Sequence, residues 1–123
     1  MSKSVLVTGG SGFIGSRLIE KLINQDYEVT AVLRKTSKRD HLPLDKIKIV
    51  EIDLTNYQDI LDFFTLNSFD YVIHAAGITK ALKKEDYFKY NTQTTINLIN
   101  AIQKVSWKPQ KFVFISSQAA HGT

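Results

Sequence analysis

Cysteine is absent from this 123-residue sequence, and so is any long apolar run. A chain without thiols forms neither a disulfide nor a thiolate metal site, which is typical of proteins in a reducing compartment. The apolar run ahead of the first glycines spans only residues 5–7, far too short for a signal sequence or a membrane span. These absences predict a cytoplasmic protein that does not insert into a membrane.

A single globular domain is indicated by the composition, in which 43% of the residues are hydrophobic and 23% are charged. The formal net charge is +4, and much of the excess lies between residues 34 and 48. A basic segment of this kind can bind nucleic acid, but this one contains no aromatic residue and no recognised nucleic-acid motif. We therefore predict one domain over residues 1–123, with a solvated basic loop rather than a nucleic-acid site.

Strands and helices are predicted to alternate along the chain. Apolar patterning predicts five strands, over residues 5–7, 28–33, 46–52, 70–74 and 111–115. Helical spacing predicts three helices between them, over about residues 13–25, 57–66 and 85–105. The third helix is expected to bury a stripe formed by Phe88, Thr92, Ile96, Ile99 and Ile102. This alternation predicts an α/β fold, a doubly wound parallel sheet of order 3-2-1-4-5 whose ligand crevice lies at the carboxyl ends of strands 1 and 4.

A glycine-rich turn links the first strand to the first helix. Its glycines fit two overlapping spacings, Gly10-x-Gly12-x-x-Gly15 and Gly9-x-x-Gly12-x-x-Gly15. Strand, turn and helix in this order are the context of a dinucleotide-binding fingerprint, in which backbone N–H groups at the helix start face a pyrophosphate. A tight turn that binds nothing is the alternative. A Walker-type phosphate loop is excluded, because the Lys-Ser/Thr pair that it requires does not follow Gly15.

The residue after the second strand favours one cofactor over another. Arg34 comes nineteen positions after Gly15, where an NAD-binding site places an acidic residue for the ribose 2′-hydroxyl. A guanidinium can instead bind a 2′-phosphate through two parallel hydrogen bonds, and neighbouring cations such as Lys38 can assist it. The pattern therefore favours NADP over NAD, against the alternative of an arginine that merely starts a solvated loop.

Small or polar residues also follow the third and fourth strands. Asp53 can accept a hydrogen bond from an adenine amino group, or else it or Thr55 can cap the next helix. Residues 75–77 are small enough to let a cofactor lie against backbone, or to let strand and helix pack closely. His74 is interpreted as a structural imidazole that bonds to neighbouring backbone, since no partner stands at a metal-ligand spacing from it.

Two serines end the fifth strand at the same edge of the predicted sheet. A hydroxyl of Ser116 or Ser117 can donate to a substrate carbonyl oxygen, or the pair can simply terminate the strand. The strained G-x-S-x-G elbow of serine hydrolases is not present around them. Hydrolysis is therefore not the predicted chemistry.

Several segments together resemble the N-terminal part of an extended short-chain dehydrogenase/reductase of the NAD(P)-dependent epimerase/dehydratase group. They occur in the family's order along the chain: residues 8–15 (TGGSGFIG), 53–55 (DLT), 74–77 (HAAG), Asn91, and 112–117 (FVFISS). Two residues depart from the family pattern, since Thr94 and His121 stand where glycine and tyrosine are usual. The resemblance implies a Rossmann domain and hydride transfer at a carbonyl or alcohol carbon, with a nucleotide sugar as one expected substrate.

The same resemblance implies which residues form the site. It assigns the pyrophosphate to Gly9, Gly12, Phe13, Ile14 and Gly15, adenine to Asp53 and Leu54, and the nicotinamide half to Ala75, Ala76, Gly77 and Thr79. It also implies that Asn91 supports the cofactor-side network and that Ser117 is the active-site hydroxyl. NADP is the expected cofactor and NAD the alternative, with Arg34 and Lys38 as the residues that favour NADP.

The catalytic Tyr-x-x-x-Lys pair of the family does not occur in the sequence, because none of the five tyrosines is followed by lysine four positions later. In the family, the tyrosine transfers a proton and the lysine lowers the pKa of that tyrosine. We therefore expect a truncated Rossmann domain, inactive alone, of a longer homodimeric enzyme whose substrate-binding C-terminal part is absent. A cofactor-sensing or scaffold module is the alternative, and self-association through exposed sheet edges is a third interpretation.

Overall fold

The computed structural model describes residues 3–9, 13–34, 42–75 and 84–115, with side chains for all of these except 13–14 and 84–91. The elements are β1 (Ser4–Thr8), α1 (Phe13–Asn24), β2 (Glu28–Leu33), β3 (Lys48–Glu51), α2 (Tyr57–Leu66), β4 (Tyr71–Ala75), α3 (Lys84–Lys104) and β5 (Lys111–Ile115). The predicted alternation of strands and helices is confirmed, and the element boundaries differ from the predicted ones by two residues at most. Two of these matter for the site: Thr8 and Ala75 lie inside strands rather than in the turns that follow them.

All five strands form one parallel sheet in the order β3-β2-β1-β4-β5, as predicted. β1 lies at the centre and pairs with β2 on one side and with β4 on the other. The order reverses there because α1 carries the chain to one side of β1, whereas the segment containing α2 carries it back across to the other. The carboxyl ends of β1 and β4 therefore flank the point at which the connections diverge.

The two faces of the sheet bury separate apolar clusters, because successive residues of a strand point to opposite sides. On one face, Val5 and Val7 of β1 pack with Ile19 of α1. On the other face, Leu6 packs with residues of α2 and α3, among them Leu98. Residues 5–8 of β1 are all buried, and residues 5–7 form a continuous apolar run rather than an alternating one, as expected for a strand covered on both faces.

Residues after α3 donate hydrogen bonds to carbonyls at the carboxyl ends of α2 and α3. The indole N–H of Trp107 donates to the carbonyl of Phe64 in α2 at 2.7 Å, and its ring packs edge-on against the ring of Phe64. The Lys108 ammonium donates to the Ile102 carbonyl at 2.9 Å and also to that of Val105. Carbonyls at the end of a helix lack intrahelical partners, so these contacts satisfy groups that would otherwise need water.

The stripe predicted to face the core from α3 is wrong at Thr92, Ile96 and Ile99, which are exposed, and is confirmed at Ile102, which is buried. The side chain of Phe88 lies outside the described part. Ile96 and Ile99 are 45% and 39% exposed, whereas Leu98 and Ala101 are fully buried. The face turned to the sheet carries a small residue and two polar ones as well as aliphatic side chains, and it consists of Thr94, Asn97, Leu98, Ala101, Ile102 and Val105. The helix is therefore rotated relative to the expectation, because close approach to α2 and the sheet selects the face with Ala101 over the face with the larger isoleucines.

β5 is an edge strand of the described sheet and carries exposed apolar side chains. Val113 and Phe114 point to opposite faces and are 40% and 47% exposed. Among the helices of the described residues, none is both long enough and apolar enough to cross a membrane.

Candidate functional site

Gly9 follows β1 directly and lies against the end of β4. Its φ is +73°, and a Cβ at this position would lie 2.1 Å from the carbonyl oxygen of Ala75. No side chain can occupy that space, because the opposing atom belongs to backbone rather than to a flexible side chain. Glycine is therefore required at this position for two reasons: the left-handed backbone conformation and the close approach of two chain segments.

Side chains at the ends of β1 and β4 are joined by a buried hydrogen bond. Thr8 and His74 are register partners in the two strands, and Oγ1 of Thr8 lies 2.5 Å from Nδ1 of His74. Thr8 is fully buried and His74 is 2% exposed. The prediction that His74 is structural fits this geometry, but the expected backbone partner is wrong, because the ring bonds to a side chain of the neighbouring strand.

The His74 imidazole is neutral over the physiological pH range, because burial lowers its pKa from 6.5 to about 4. Phe114 of β5 packs against the ring, with centroids 5.4 Å apart. Among the described residues Nε2 has no hydrogen-bond partner, and no group of three or more His, Asp or Glu side chains there could hold a metal ion. The His74 ring is thus an uncharged, buried polar group at the carboxyl end of the sheet, between β1 and β5.

The loop between β3 and α2 holds Asp53 in a defined orientation. Both the backbone N–H and the hydroxyl of Thr55 donate to Oδ1 of Asp53, at 2.9 and 2.6 Å. These bonds, with a smaller contribution from the positive charge of Arg34, lower the pKa of Asp53 despite some burial. Both bonds fall on Oδ1 of an ionised, exposed carboxylate, and no other described residue bonds to Oδ2.

The proposed capping role of Asp53 or Thr55 is wrong. Asn56 is the N-cap of α2, and its side-chain oxygen accepts a hydrogen bond from the backbone N–H of Asp59 at 3.2 Å. Asn56 occupies the residue before the helix with extended backbone, which is the position where a short polar side chain reaches the orphan N–H groups. The function of Asp53 is therefore separate from helix capping.

Arg34 follows β2 directly, and its side chain is exposed. The end of β2 lies beside the end of β3, since the Ile52 N–H donates to the Leu33 carbonyl at 3.1 Å. This pairing places Arg34 and Asp53 within electrostatic reach of each other at the edge where β2 and β3 end.

A buried asparagine on α3 was not found by sequence reasoning. Asn97 is 5% exposed, and its Nδ2 donates to the carbonyl of Leu54 at 2.9 Å. Its Oδ1 accepts a hydrogen bond from Gln93 at 2.8 Å. Asn97 could have been identified from its position, three residues after Thr94 and next to Leu98 on a buried face. A buried polar side chain needs a hydrogen-bond partner.

The remaining predicted residues fall into three groups. Gly15 is buried in the first turn of α1, and Leu54 is half-buried in the loop after β3. Phe13, Ile14 and Asn91 lie in α1 and α3, but their side chains are outside the described part. Gly12, Lys38, Ala76, Gly77, Thr79 and Ser117 lie outside the described residues.

Two curated proteins are similar to this chain. UDP-glucose 4-epimerase of Bacillus subtilis is 36% identical over 132 residues, which covers 97% of this chain and 38% of that protein. Sterol-4-alpha-carboxylate 3-dehydrogenase (decarboxylating) of Candida albicans is 34% identical over 113 residues, covering 86% of this chain and 32% of that protein. The chain therefore spans about a third of the length of these relatives.

The solved structure of the Bordetella bronchiseptica enzyme WbmG, in complex with NAD and UDP, is similar to this fold. Its TM-score is 0.76 at 25% identity, covering 93% of this chain and 37% of that one. The sequence model of the NAD dependent epimerase/dehydratase family matches residues 5–123. With this match over nearly all of its length, the chain belongs to the NAD dependent epimerase/dehydratase family.

Proposed function

We propose that this chain is the cofactor-binding Rossmann part of an NAD(P)-dependent epimerase, dehydratase or reductase. The observation that carries the proposal is the close approach of Gly9 to the Ala75 carbonyl at the point where β1 and β4 diverge. That approach brings the backbones of two strand ends together at the place where a doubly wound sheet binds a dinucleotide. The polar ends of β2 and β3 lie along the same edge, as an extended ligand requires.

The adenosine half is assigned to the end of the sheet formed by β2 and β3. Oδ2 of Asp53 would accept a hydrogen bond from the adenine amino group, and Leu54 would contact the ring. Arg34 would bind the 2′-phosphate on the adenosine ribose of NADP, with Lys38 as a second cation. The orientation of the Asp53 carboxylate by Thr55 supports this assignment, because a pre-oriented acceptor loses little entropy on binding.

The pyrophosphate and nicotinamide half are assigned to the centre of the edge. Gly9, Gly12, Phe13, Ile14 and Gly15 would hold the pyrophosphate, and Ala75, Ala76, Gly77 and Thr79 would line the nicotinamide half, with Asn91 in support. A bound nicotinamide ring supplies hydride exchange with a substrate carbon. Ser117 would donate a hydrogen bond to the substrate oxygen and hold it in place.

Proton transfer is assigned to a residue pair that this sequence does not contain. The substrate carbon loses or gains a hydride while its oxygen loses or gains a proton, so a general acid–base group is needed beside Ser117. We propose that a Tyr-x-x-x-Lys pair in a longer protein performs this step, within about forty residues after Thr123. This chain alone would then bind the cofactor without turning over substrate.

A nucleotide sugar is the proposed substrate of the longer protein. The Bacillus subtilis relative is named for UDP-glucose, and the WbmG structure holds UDP. Another secondary alcohol or ketone is the alternative substrate, because the Candida albicans relative is named as a sterol dehydrogenase. The same proposal places the longer protein in the cytoplasm as a homodimer, without a nucleic-acid or membrane partner.

Cofactor titration of the 123-residue chain tests the proposal through Arg34. If the guanidinium binds the 2′-phosphate of NADP, Arg34→Asp should weaken NADP binding by about tenfold to a hundredfold, the range expected for charge-assisted hydrogen bonds. NAD lacks that phosphate, so its affinity should change less than about threefold. Isothermal titration calorimetry with each cofactor measures both effects.

The matched control is Lys111→Asp, which reverses an exposed charge at the amino end of β5, on the opposite edge of the sheet. It should change neither affinity beyond the effect of net charge. Equal losses of NAD and NADP affinity in Arg34→Asp would contradict the NADP assignment. Failure of the unchanged chain to bind either cofactor would contradict the proposed function as a whole.

A cofactor-sensing or scaffold module is the second candidate function. The two candidates are separated by the sequence that follows Thr123 in the gene product. A downstream Tyr-x-x-x-Lys supports the enzyme, whereas its absence there supports the sensor.

A further inference from the structure

The loop that carries Asp53 and Leu54 is tied to helix α3 by one buried amide. Asn97 lies 43 positions further along the chain, yet its Nδ2 is 2.9 Å from the Leu54 carbonyl oxygen. We infer that Asn97 is a positioning residue that holds the adenine-binding loop in its ligand-ready conformation. The inference rests on the proposed function, because it concerns the same cofactor site.

The hydrogen bonds inside the loop do not by themselves fix its place on the protein. Thr55 bonds to Asp53, and the Asn56 N–H donates to the Asp53 carbonyl at 2.9 Å, so these contacts join residues only two or three positions apart. They shape the turn, but a turn shaped in this way can still move as a unit. The Leu54 carbonyl is bonded from a different helix, which fixes the turn relative to the rest of the site.

The Asn97 amide can adopt one useful orientation. A carbonyl oxygen only accepts, so the NH₂ group must face Leu54. The amide oxygen then faces Gln93, whose Nε2 donates to it at 2.8 Å, and this second bond holds the orientation. Because Asn97 is 5% exposed, water competes poorly for either bond, and losing the amide would leave a partly buried carbonyl without its partner.

The position of Asn97 on α3 gives the contact a rigid base. Leu98 and Ala101, on the same face of the helix, are fully buried. α2, which starts directly after the loop, also packs against α3. Asn97 thus connects an exposed recognition loop to the packed core, and it does so without lying where the ligand itself would bind.

The experiment compares Asn97→Leu, which keeps the approximate size but removes the amide, with Asn100→Leu on the exposed side of the same helix. Amide hydrogen exchange of Thr55 and Asn56 is measured by NMR on the 123-residue chain without ligand. Calorimetry then measures binding of AMP, as the adenine half, and of nicotinamide mononucleotide, as the other half. Gln93→Leu provides a graded variant, since it removes only the bond that orients the amide.

For Asn97→Leu we expect loop exchange and the AMP dissociation constant each to rise about tenfold, the effect of losing one buried hydrogen bond. Exchange in β1 and binding of nicotinamide mononucleotide should stay within about twofold of the unchanged chain, and Gln93→Leu should have a smaller effect of the same kind. A purely structural role would raise exchange throughout β1 and weaken both ligands equally, and that result overturns the inference.

Loop exchange equal in Asn97→Leu and Asn100→Leu also overturns the inference, whatever the ligand data. If the unchanged chain binds no AMP, the proposed cofactor function fails instead. In that case the exchange measurement, which needs no ligand, still decides whether Asn97 holds the loop.

Discussion

Two regions at the carboxyl edge of the sheet are built in opposite ways: the centre, where β1 and β4 end, and the loop between β3 and α2. At the centre, Thr8 and His74 are buried and bond across 66 positions of sequence, and Gly9 packs on the backbone of another strand. At the β3–α2 end, Asp53 is exposed and its hydrogen bonds reach only two or three positions along the chain. Substitutions at the centre should therefore disturb fold and binding together, whereas substitutions in the loop should act locally.

The largest effect is expected at Gly9. In Gly9→Ala the new Cβ would lie 2.1 Å from the Ala75 carbonyl oxygen, on a residue whose φ is +73°. The backbone must move, so we expect a loss of about 2–4 kcal/mol in the free energy of unfolding and at least tenfold weaker cofactor binding. Chemical denaturation and calorimetric titration measure the two effects.

The Gly9→Ala/Ala75→Gly double variant sharpens this prediction. It removes the Ala75 side chain, which would lie 3.3 Å from the new Cβ, but leaves the closer backbone oxygen in place. It should therefore recover little of the stability lost by Gly9→Ala. Substantial recovery would contradict the backbone origin of the requirement and would make the centre as tolerant as the loop.

The second-largest effect is a pH dependence of the free energy of unfolding, which arises from His74 at the centre. The folded protein holds the pKa of His74 at about 4, below the 6.5 of an ordinary histidine, so the unfolded chain binds the proton more tightly. The resulting stability is fully present above pH 6.5 and is lost as the pH falls from 6.5 to 4. The shift corresponds to at most roughly 3 kcal/mol.

Denaturation of the original chain and of His74→Asn, measured from pH 7 to pH 4.5, isolates this contribution from that of the carboxylates. Asparagine can still bond to Thr8 but cannot titrate, so the stability difference between the two proteins should shrink or reverse as the pH falls. A difference that stays constant over this range would contradict a buried neutral imidazole.

The smallest effect is expected in the loop. Asn56→Ala removes the side-chain cap of α2 and should lower the free energy of unfolding by about 1 kcal/mol. Asn56→Asp keeps an acceptor at the same position and should retain most of the stability. Thermal denaturation measures both variants. A loss with Asn56→Ala as large as that for Gly9→Ala would remove the distinction between the two regions.

Local patterns were sufficient for the elements and for the strand order. The bounds predicted for β2 and β5 are those observed, because β-branched, aromatic and other apolar residues dominate these short segments between polar turns. The strand order followed from the alternation of strands and helices, which is typical of a doubly wound parallel sheet. The carboxyl ends of the strands were then known, and with them the positions of Arg34, Asp53 and Ala75.

The errors occurred where two distant segments meet. The isoleucine stripe of α3 has good helical spacing, yet the buried face is the neighbouring one with Ala101, because the space beside α2 decides which face fits. The partner of His74 was missed because register between β1 and β4, not sequence spacing, places Thr8 opposite it. Asn97 was missed for the same reason, since its partner lies in another loop.

The sequence by itself determined the alternating elements, their parallel order and the chemical types at the strand ends, since these follow from patterns within one segment. Only the tertiary structure decided that Gly9 meets Ala75, that Thr8 bonds to His74 and that Asn97 holds the loop at Leu54. The physical reason is that periodicity describes one element at a time. Hydrogen bonds and steric exclusion between elements depend on register and packing distance, and these exist only when the chain is folded.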